Sequence, residues 1–285
     1  MSSLLNSGDT VGLISCSDGL DESGCTKVNA IVSTLHTLGL RTKLAETIYR
    51  CAHSPFSGSP EERAAELMRL FLDPEIRAIF DVSGGDSANQ ILPYLDFDRI
   101  RGSRAFFTGI SDLSVLNNAL YTRSGKVSRH YRVMNLAGRC AAAQQDFFNK
   151  YFMTPESPSF NYRWLRGKAL SGTVIGGNIR CFLKLAGTSY FPDPSGKIVF
   201  LEALGGGPAR MASLLAQLDQ LAVFRTCSGV LLGTFSELQE KAMEPGIEQL
   251  VLTITQRYGL PVAQTGQLGH GEDARCLPIG RFLHL

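Results

Sequence analysis

The spacing of apolar positions in the first half of the chain changes repeatedly between continuous runs and helical periods. Residues 10–16 (TVGLISC) form a β-branched, apolar run after Gly8-Asp9, which predicts a buried strand. Residues 28–40 carry apolar side chains at helical spacing up to a terminating Gly39, which predicts a helix. Ser59, Pro60 and Glu62 then supply an N-cap, a first-turn proline and a capping-box glutamate for a second helix, closed by Asp73-Pro74. Residues 76–82 predict another strand, which leads through Gly84-Gly85 into ANQILPYL, where Pro93 keeps the helix short or kinked. A strand over residues 105–111 and a helix over DLSVLNNALYTRSG, ended by Gly125, complete the series. This alternation predicts an α/β, Rossmann-like domain with a parallel sheet, its functional groups at the carboxyl ends of the strands.

The second half has a different pattern. After a helical stretch around AAAQQDFFNKYF, residues 153–168 are rich in Pro, Ser and polar side chains and read as a connector. Short apolar runs with two helices among them follow. The expected organisation is an N-terminal domain over residues 1–152, a linker over 153–168 and a smaller α+β domain over 169–285.

Composition narrows the function classes. With 285 residues, 44% apolar and 19% charged, the chain can bury a substantial core. A net charge of +2, without a Lys/Arg-rich block, argues against a nucleic-acid partner. No segment is apolar and long enough to span a bilayer and the amino terminus lacks a signal pattern, so a cytoplasmic location without membrane contact is expected. Seven scattered cysteines without a C-x-x-C pair are expected to be reduced, and the absence of clustered metal-ligand motifs predicts neither a metal nor another cofactor.

Five histidines are available as a general base. His36 lies in an amphipathic helix, His53 in a loop beside Cys51, and His284 is penultimate; none has a context that favours chemistry. His130 could approach the strand ends of the first domain and stays a minor candidate. His270, in QLGHGED, is flanked by glycines that let the ring reach into a cleft, with a polar turn residue as the equally weighted alternative. Glu202 ends the apolar run KIVFL, as a solvated strand-end charge or a histidine's partner. Asp86 and Asp112 end first-domain strands, where both could simply cap helices.

Five ordered blocks carry a resemblance. SGDTVGLISCSDG, the segment from ERAAELMRLF to SGGDSANQILPYLDFD, FTGISDLSVLNNAL, the segment from IGGNIRCFLK to KIVFLE, and LPVAQTGQLGHGED resemble the LD-carboxypeptidase family. That family of serine peptidases includes muramoyl-tetrapeptide carboxypeptidases and microcin C7 self-immunity proteins. The resemblance implies a Ser-Glu-His triad in a cleft between domains, with the glutamate at Glu202 and the histidine at His270. It implies a nucleophile on the paired-glycine turn, read as Gly-Gly-x-x-Ser-Asn, whose serine position falls on Ala88. Gly85 and Asn89 are the expected oxyanion-hole donors, with Gly84, Ser111 and Asp112 around the substrate and Arg132 or Arg166 suited to its carboxylate.

An alanine at that position would leave the chain without its attacking group. Ser87 after a one-residue shift is the least favoured remedy, because neighbours on a helix point roughly 100° apart. A naturally inactive, peptide-binding relative is a second account. The favoured account is an engineered serine-to-alanine change in an otherwise active enzyme.

The implied substrate is a peptide with a free carboxylate: a peptidoglycan tetrapeptide losing its terminal D-alanine or, as an alternative, a peptidyl- or aminoacyl-nucleotide amide. A homodimer is also implied. A dinucleotide-binding module fares poorly as a rival, since no strand is followed by G-x-G-x-x-G.

Overall fold

The computed structural model describes residues 3–21, 23–155 and 159–285. Its first half contains five strands: β1 (Thr10–Ile14), β2 (Arg41–Leu44), β3 (Ile76–Asp81), β4 (Phe106–Gly109) and β5 (Ser128–His130). Helices α1 (Gly24–Thr37), α2 (Pro60–Leu72), α3 (Phe97–Gly102) and α4 (Ser114–Ser124) connect them. Local chemistry accounts for much of this. Ser59 Oγ accepts the Glu62 N–H while the Glu62 carboxylate accepts the Ser59 N–H, so the capping box starts α2 at Pro60. Pro93, lacking an N–H, sits in a 3₁₀ turn over Ala88–Tyr94 instead of the α-helix suggested by its apolar spacing.

The second half contributes β6 (Arg163–Arg166), β7 (Ser171–Asn178), β8 (Ile198–Ala203), β9 (Gly229–Phe235), β10 (Val262–Gln264), β11 (Leu277–Ile279) and β12 (Phe282–His284). Two six-stranded sheets result, in the orders β11-β5-β4-β3-β1-β2 and β12-β7-β8-β9-β10-β6. The first is parallel from β5 to β2, as its alternating pattern predicts, with β11 antiparallel at one edge. In the second, β7, β8, β9 and β10 are parallel and both edge strands are antiparallel. The α/β class therefore extends through both halves.

Two features depart from the expected organisation. Residues 163–166, within the expected linker, form the edge strand β6 against β10, while residues 156–158 of that linker lie outside the described residues. Strand β11, from the C-terminal part of the chain, returns to the first sheet beside β5. The return has a packing reason: Leu277 and Ile279 are buried in an apolar cluster with Phe200 of β8 and Leu231 of β9, so β11 bridges the two sheets.

Polar contacts join the sheets at the start of α4. Asn118 Nδ2 donates to the Gly176 carbonyl at 2.8 Å, and its Oδ1 accepts the Gly176 N–H at 2.9 Å. Ser114 Oγ accepts the Asn178 N–H at 2.8 Å. Gly177 permits this approach, because at its φ of +138° a Cβ would stand 2.4 Å from Ser114 Oγ. The carboxyl end of β7 is thereby fixed against the turn that follows β4.

Candidate active site

That turn has an uncommon conformation. Ser111 follows β4 with φ +60°, a left-handed value that costs a residue with a Cβ roughly 1–2 kcal/mol. It opens a 3₁₀ turn, Ser111–Leu113, that runs directly into α4. Strand, strained residue and helix together present a side chain at the sheet's carboxyl edge, the geometry of a nucleophile elbow.

Asp112 secures the turn from behind. It is fully buried: Oδ2 accepts the Ser17 hydroxyl at 2.7 Å and the Ala88 N–H at 2.8 Å, while Oδ1 pairs with Lys184 Nζ at 2.6 Å. The carboxylate thus ties the Ser111 turn to β1's following loop, to the paired-glycine loop and, through Lys184, to the second half. Its location keeps the Asp112 side chain from the direct substrate contact expected from sequence. On the paired-glycine loop, Asp18 Oδ1 accepts both the Asp86 N–H at 3.1 Å and the Ser87 hydroxyl at 2.7 Å. Gly85 is required there, since a Cβ would fall 2.3 Å from the Asp18 carboxyl carbon.

Glu202 and His270 come together from β8 and the loop after β10. His270 Nδ1 lies 2.6 Å from Glu202 Oε2; the carboxylate is fully buried and the imidazole nearly so. The short contact orients the ring with Nδ1 toward the carboxylate and leaves Nε2 without an intramolecular partner. His270 lines a cavity of about 610 Å³ together with Ser111, Gly84, Gly85 and Arg132. Ser111 also lines a second cavity of about 500 Å³, beside Asn178, Arg180, Arg210 and Met211. A reacting group at Ser111 would therefore have space on two sides.

Other sequence candidates fall elsewhere. Ala88 is fully buried in the apolar cluster that also contains Ile91, Leu92 and Leu113, and it lines neither cavity. The nucleophile position expected on the paired-glycine turn is thus occupied by a core methyl. Asn89 is exposed and lines neither cavity. The Ser87 hydroxyl is held by Asp18 and by Arg63 Nη1 at 3.1 Å, so it is engaged in the loop's own network. Arg166 donates to the carbonyls of Leu260 and Leu252 and to Thr255, leaving Arg132 as the arginine at the cavity from the expected pair.

His130 packs behind the pair, with Nε2 3.8 Å from Glu202 Oε1. Burial lowers its pKa to about 4 despite the nearby carboxylate, so the ring is neutral near pH 7. Among the described residues, no group of three or more His, Cys, Asp or Glu side chains is arranged to hold a metal. No described helix is long and apolar enough to cross a membrane.

Residues 11–131 match the LD-carboxypeptidase N-terminal domain, and residues 171–285 match the LD-carboxypeptidase C-terminal domain. The chain belongs to the LD-carboxypeptidase family. Among its relatives is a Bacillus subtilis protein named "Probable murein peptide carboxypeptidase", 28% identical over 288 residues covering 97% of this chain and 88% of the relative. The crystal structure of muramoyltetrapeptide carboxypeptidase from Oxalobacter formigenes superposes with a TM-score of 0.82 at 25% identity, covering 96% of this chain and 94% of that one. The microcin C7 self immunity protein MccF in complex with aspartyl sulfamoyl adenosine has the same fold, with a TM-score of 0.88 at 21% identity over 100% of this chain and 95% of that chain. Membership of a peptidase family gives this cavity a chemical context: a peptidase needs a nucleophile, a base and an anion-stabilising corner.

Ser111 lies in a block that the sequence resemblance recognises without reading it as a nucleophile elbow. Gly-Ile-Ser-Asp follows an apolar strand and precedes a helix, as a nucleophile elbow does. The paired glycines draw attention to the adjacent loop, which lines the cavity with backbone instead.

Proposed function

We propose that this LD-carboxypeptidase is a serine-type hydrolase, competent as it stands, that releases the terminal D-amino acid from murein-derived tetrapeptides. The observation that carries the reading is that the strained Ser111 and the Glu202-supported His270 line the same cavity. Alanine at position 88 then disables nothing, and neither an engineered change nor a naturally inactive binder is needed to explain it.

In the proposed reaction, Ser111 Oγ attacks the carbonyl carbon of the scissile amide while His270 Nε2 accepts the hydroxyl proton. Glu202 holds the Nδ1–H tautomer and stabilises the imidazolium that forms. Developing negative charge on the carbonyl oxygen is assigned to the backbone N–H groups of Asp112, the residue after the nucleophile, and Gly85 across the cavity. His270 returns the proton to the departing amine, and water then hydrolyses the acyl-enzyme by the same base. Arg132, exposed at the cavity, is assigned to the substrate's terminal carboxylate.

The test is D-alanine release from tetrapeptides containing L-lysine or diaminopimelate, with a peptidyl-sulfamoyl nucleotide in parallel. Turnover of a tetrapeptide by the unaltered chain, abolished in Ser111→Ala, supports the proposal. Turnover of the nucleotide conjugate alone assigns the site to the other amide. Failure on all of them by folded protein would bring the peptide-binding account forward.

A further inference from the structure

The Glu202 carboxylate faces two histidines, and the proposed reaction uses one of them. His130 stands on β5, paired across the first sheet with Gly109 of β4 and Leu277 of β11. Its ring is buried edge-on against Phe200 of β8, with centroids 5.1 Å apart. His130 Nδ1, His130 Nε2 and Glu202 Oε1 are all buried without a hydrogen-bond partner, although Nε2 and Oε1 face each other across 3.8 Å. A buried donor and a buried acceptor left unmade each carry a desolvation penalty, so this facing pair has a use for each other.

We propose that His130 is a positioning residue: its Nε2–H grips Glu202 Oε1 while His270 Nδ1–H grips Oε2, holding the carboxylate from both sides. The inference rests on the Ser111–His270–Glu202 reading. A movement of about 1 Å shortens the gap to an ordinary N–H···O length. A neutral imidazole has one N–H to give, and the Nε2–H tautomer places it toward the carboxylate. Neutrality suits the role, since a second cation beside Glu202 would compete with the imidazolium formed on His270.

The charged and titratable groups acting on His130 are Glu202, from β8, and His270, from the loop after β10. Its neighbour Arg129 points to the other face of β5, with its guanidinium 4.1 Å from the Phe106 ring centre. The facing strands β4 and β11 offer Gly109 and Leu277, neither of which titrates.

A donor on Oε1 favours the anionic form of the Glu202–His270 pair. Its removal makes the pair take up a proton more readily, and the base is lost at a higher pH.

The experiment compares His130→Phe, which keeps an aromatic ring but has no donor, with His130→Gln, whose amide nitrogen reaches about as far as Nε2. The pH midpoint of the His270 ring signals is followed by NMR alongside the acid limb of kcat/KM and the separate kcat and KM values. In His130→Phe the midpoint and acid limb are expected to rise together, by about 3- to 10-fold in proton affinity. On the same variant kcat is expected to fall about tenfold with KM little changed, while His130→Gln recovers most of both. Should His130→Phe not fold, His130→Leu serves as the donor-free form. An unmoved midpoint in the folded donor-free variant, or a Gln variant no closer to the parent, would reduce His130 to a space-filling residue and overturn the inference. The NMR midpoint needs no turnover, so a failed hydrolase reading and a failed positioning reading give different results.

Discussion

Introducing a hydroxyl at position 88 separates the two possible seats of the nucleophile. Ala88 is fully buried, in a cluster with Ile91, Leu92, Leu95 and Leu113. Its N–H donates to the buried Asp112 carboxylate, which fixes the local backbone. A hydroxyl left unpaired among those apolar neighbours costs about 1–3 kcal/mol. At roughly 2–4 °C per kcal/mol for a protein somewhat smaller than this one, Tm falls by several degrees. Turnover in Ala88→Ser should stay within about twofold of the parent, whereas Ser111→Ala should lose about 10⁴- to 10⁶-fold in kcat. The assay is D-alanine release on these three proteins and on the doubly substituted one, with thermal unfolding and labelling by a fluorophosphonate, followed by mass spectrometry of the modified peptide. The label should appear on Ser111 in the parent and in Ala88→Ser, and disappear in Ser111→Ala. A label at position 88 in the protein carrying both Ala88→Ser and Ser111→Ala, or a marked gain of turnover in Ala88→Ser, would refute the placement of the nucleophile.

Replacing Glu202 by Gln retains the shape of the pair but removes its charge and disturbs the imidazole tautomer; steady-state kinetics should show kcat lower by about 10²- to 10⁴-fold with KM little affected. Lys184→Met strips the buried Asp112 carboxylate of its cation, and urea unfolding should report a loss of about 3 kcal/mol together with a lower kcat, because the same carboxylate braces the Ser111 turn. Gly177→Ala places a Cβ against Ser114 Oγ at a left-handed φ, so both Tm and kcat should fall, while a variant indistinguishable from the parent would show that the β7–α4 junction yields freely. Asp81 provides a pH test. Burial raises its pKa from 3.8 to about 6, so the folded state binds this proton more tightly than the unfolded state. The resulting stability, about 3 kcal/mol, is fully present below pH ~4 and is lost as pH rises through ~6. Unfolding free energies measured across that window should show this contribution in the parent and not in Asp81→Asn, against whatever slope the other carboxylates impose on both.

Features set by neighbours in sequence were legible from sequence. The capping box at Ser59 and Glu62, the stop of α4 at Gly125 and the apolar strands of the first sheet depend on interactions within a few residues, and each stands where its pattern places it. The Glu202 and His270 positions were reached through the order of whole blocks, which preserves a family's arrangement without revealing a distance. Neither residue's local surroundings separated a site residue from a strand-end charge or a polar turn.

Tertiary structure decided the rest, because the deciding interactions join segments far apart in the chain. Position 88 reads as part of a functional glycine turn, yet contacts from α4 and the adjoining 3₁₀ turn make it a core residue. Ser111 reads as one of the residues around the substrate, yet its left-handed backbone is held by Asp112 with Ser17, Ala88 and Lys184, and the neighbouring Ser114 by Asn178. Strand β11 returns to the first sheet because its apolar side chains are buried between the two sheets, a benefit that no local period encodes. Sequence alone determined the apolar strands and capped helices of the first half and the family order of the blocks. Long-range packing and buried hydrogen bonding determined which serine faces His270's cavity, since a side chain's direction is fixed only when the segments that cage it have met.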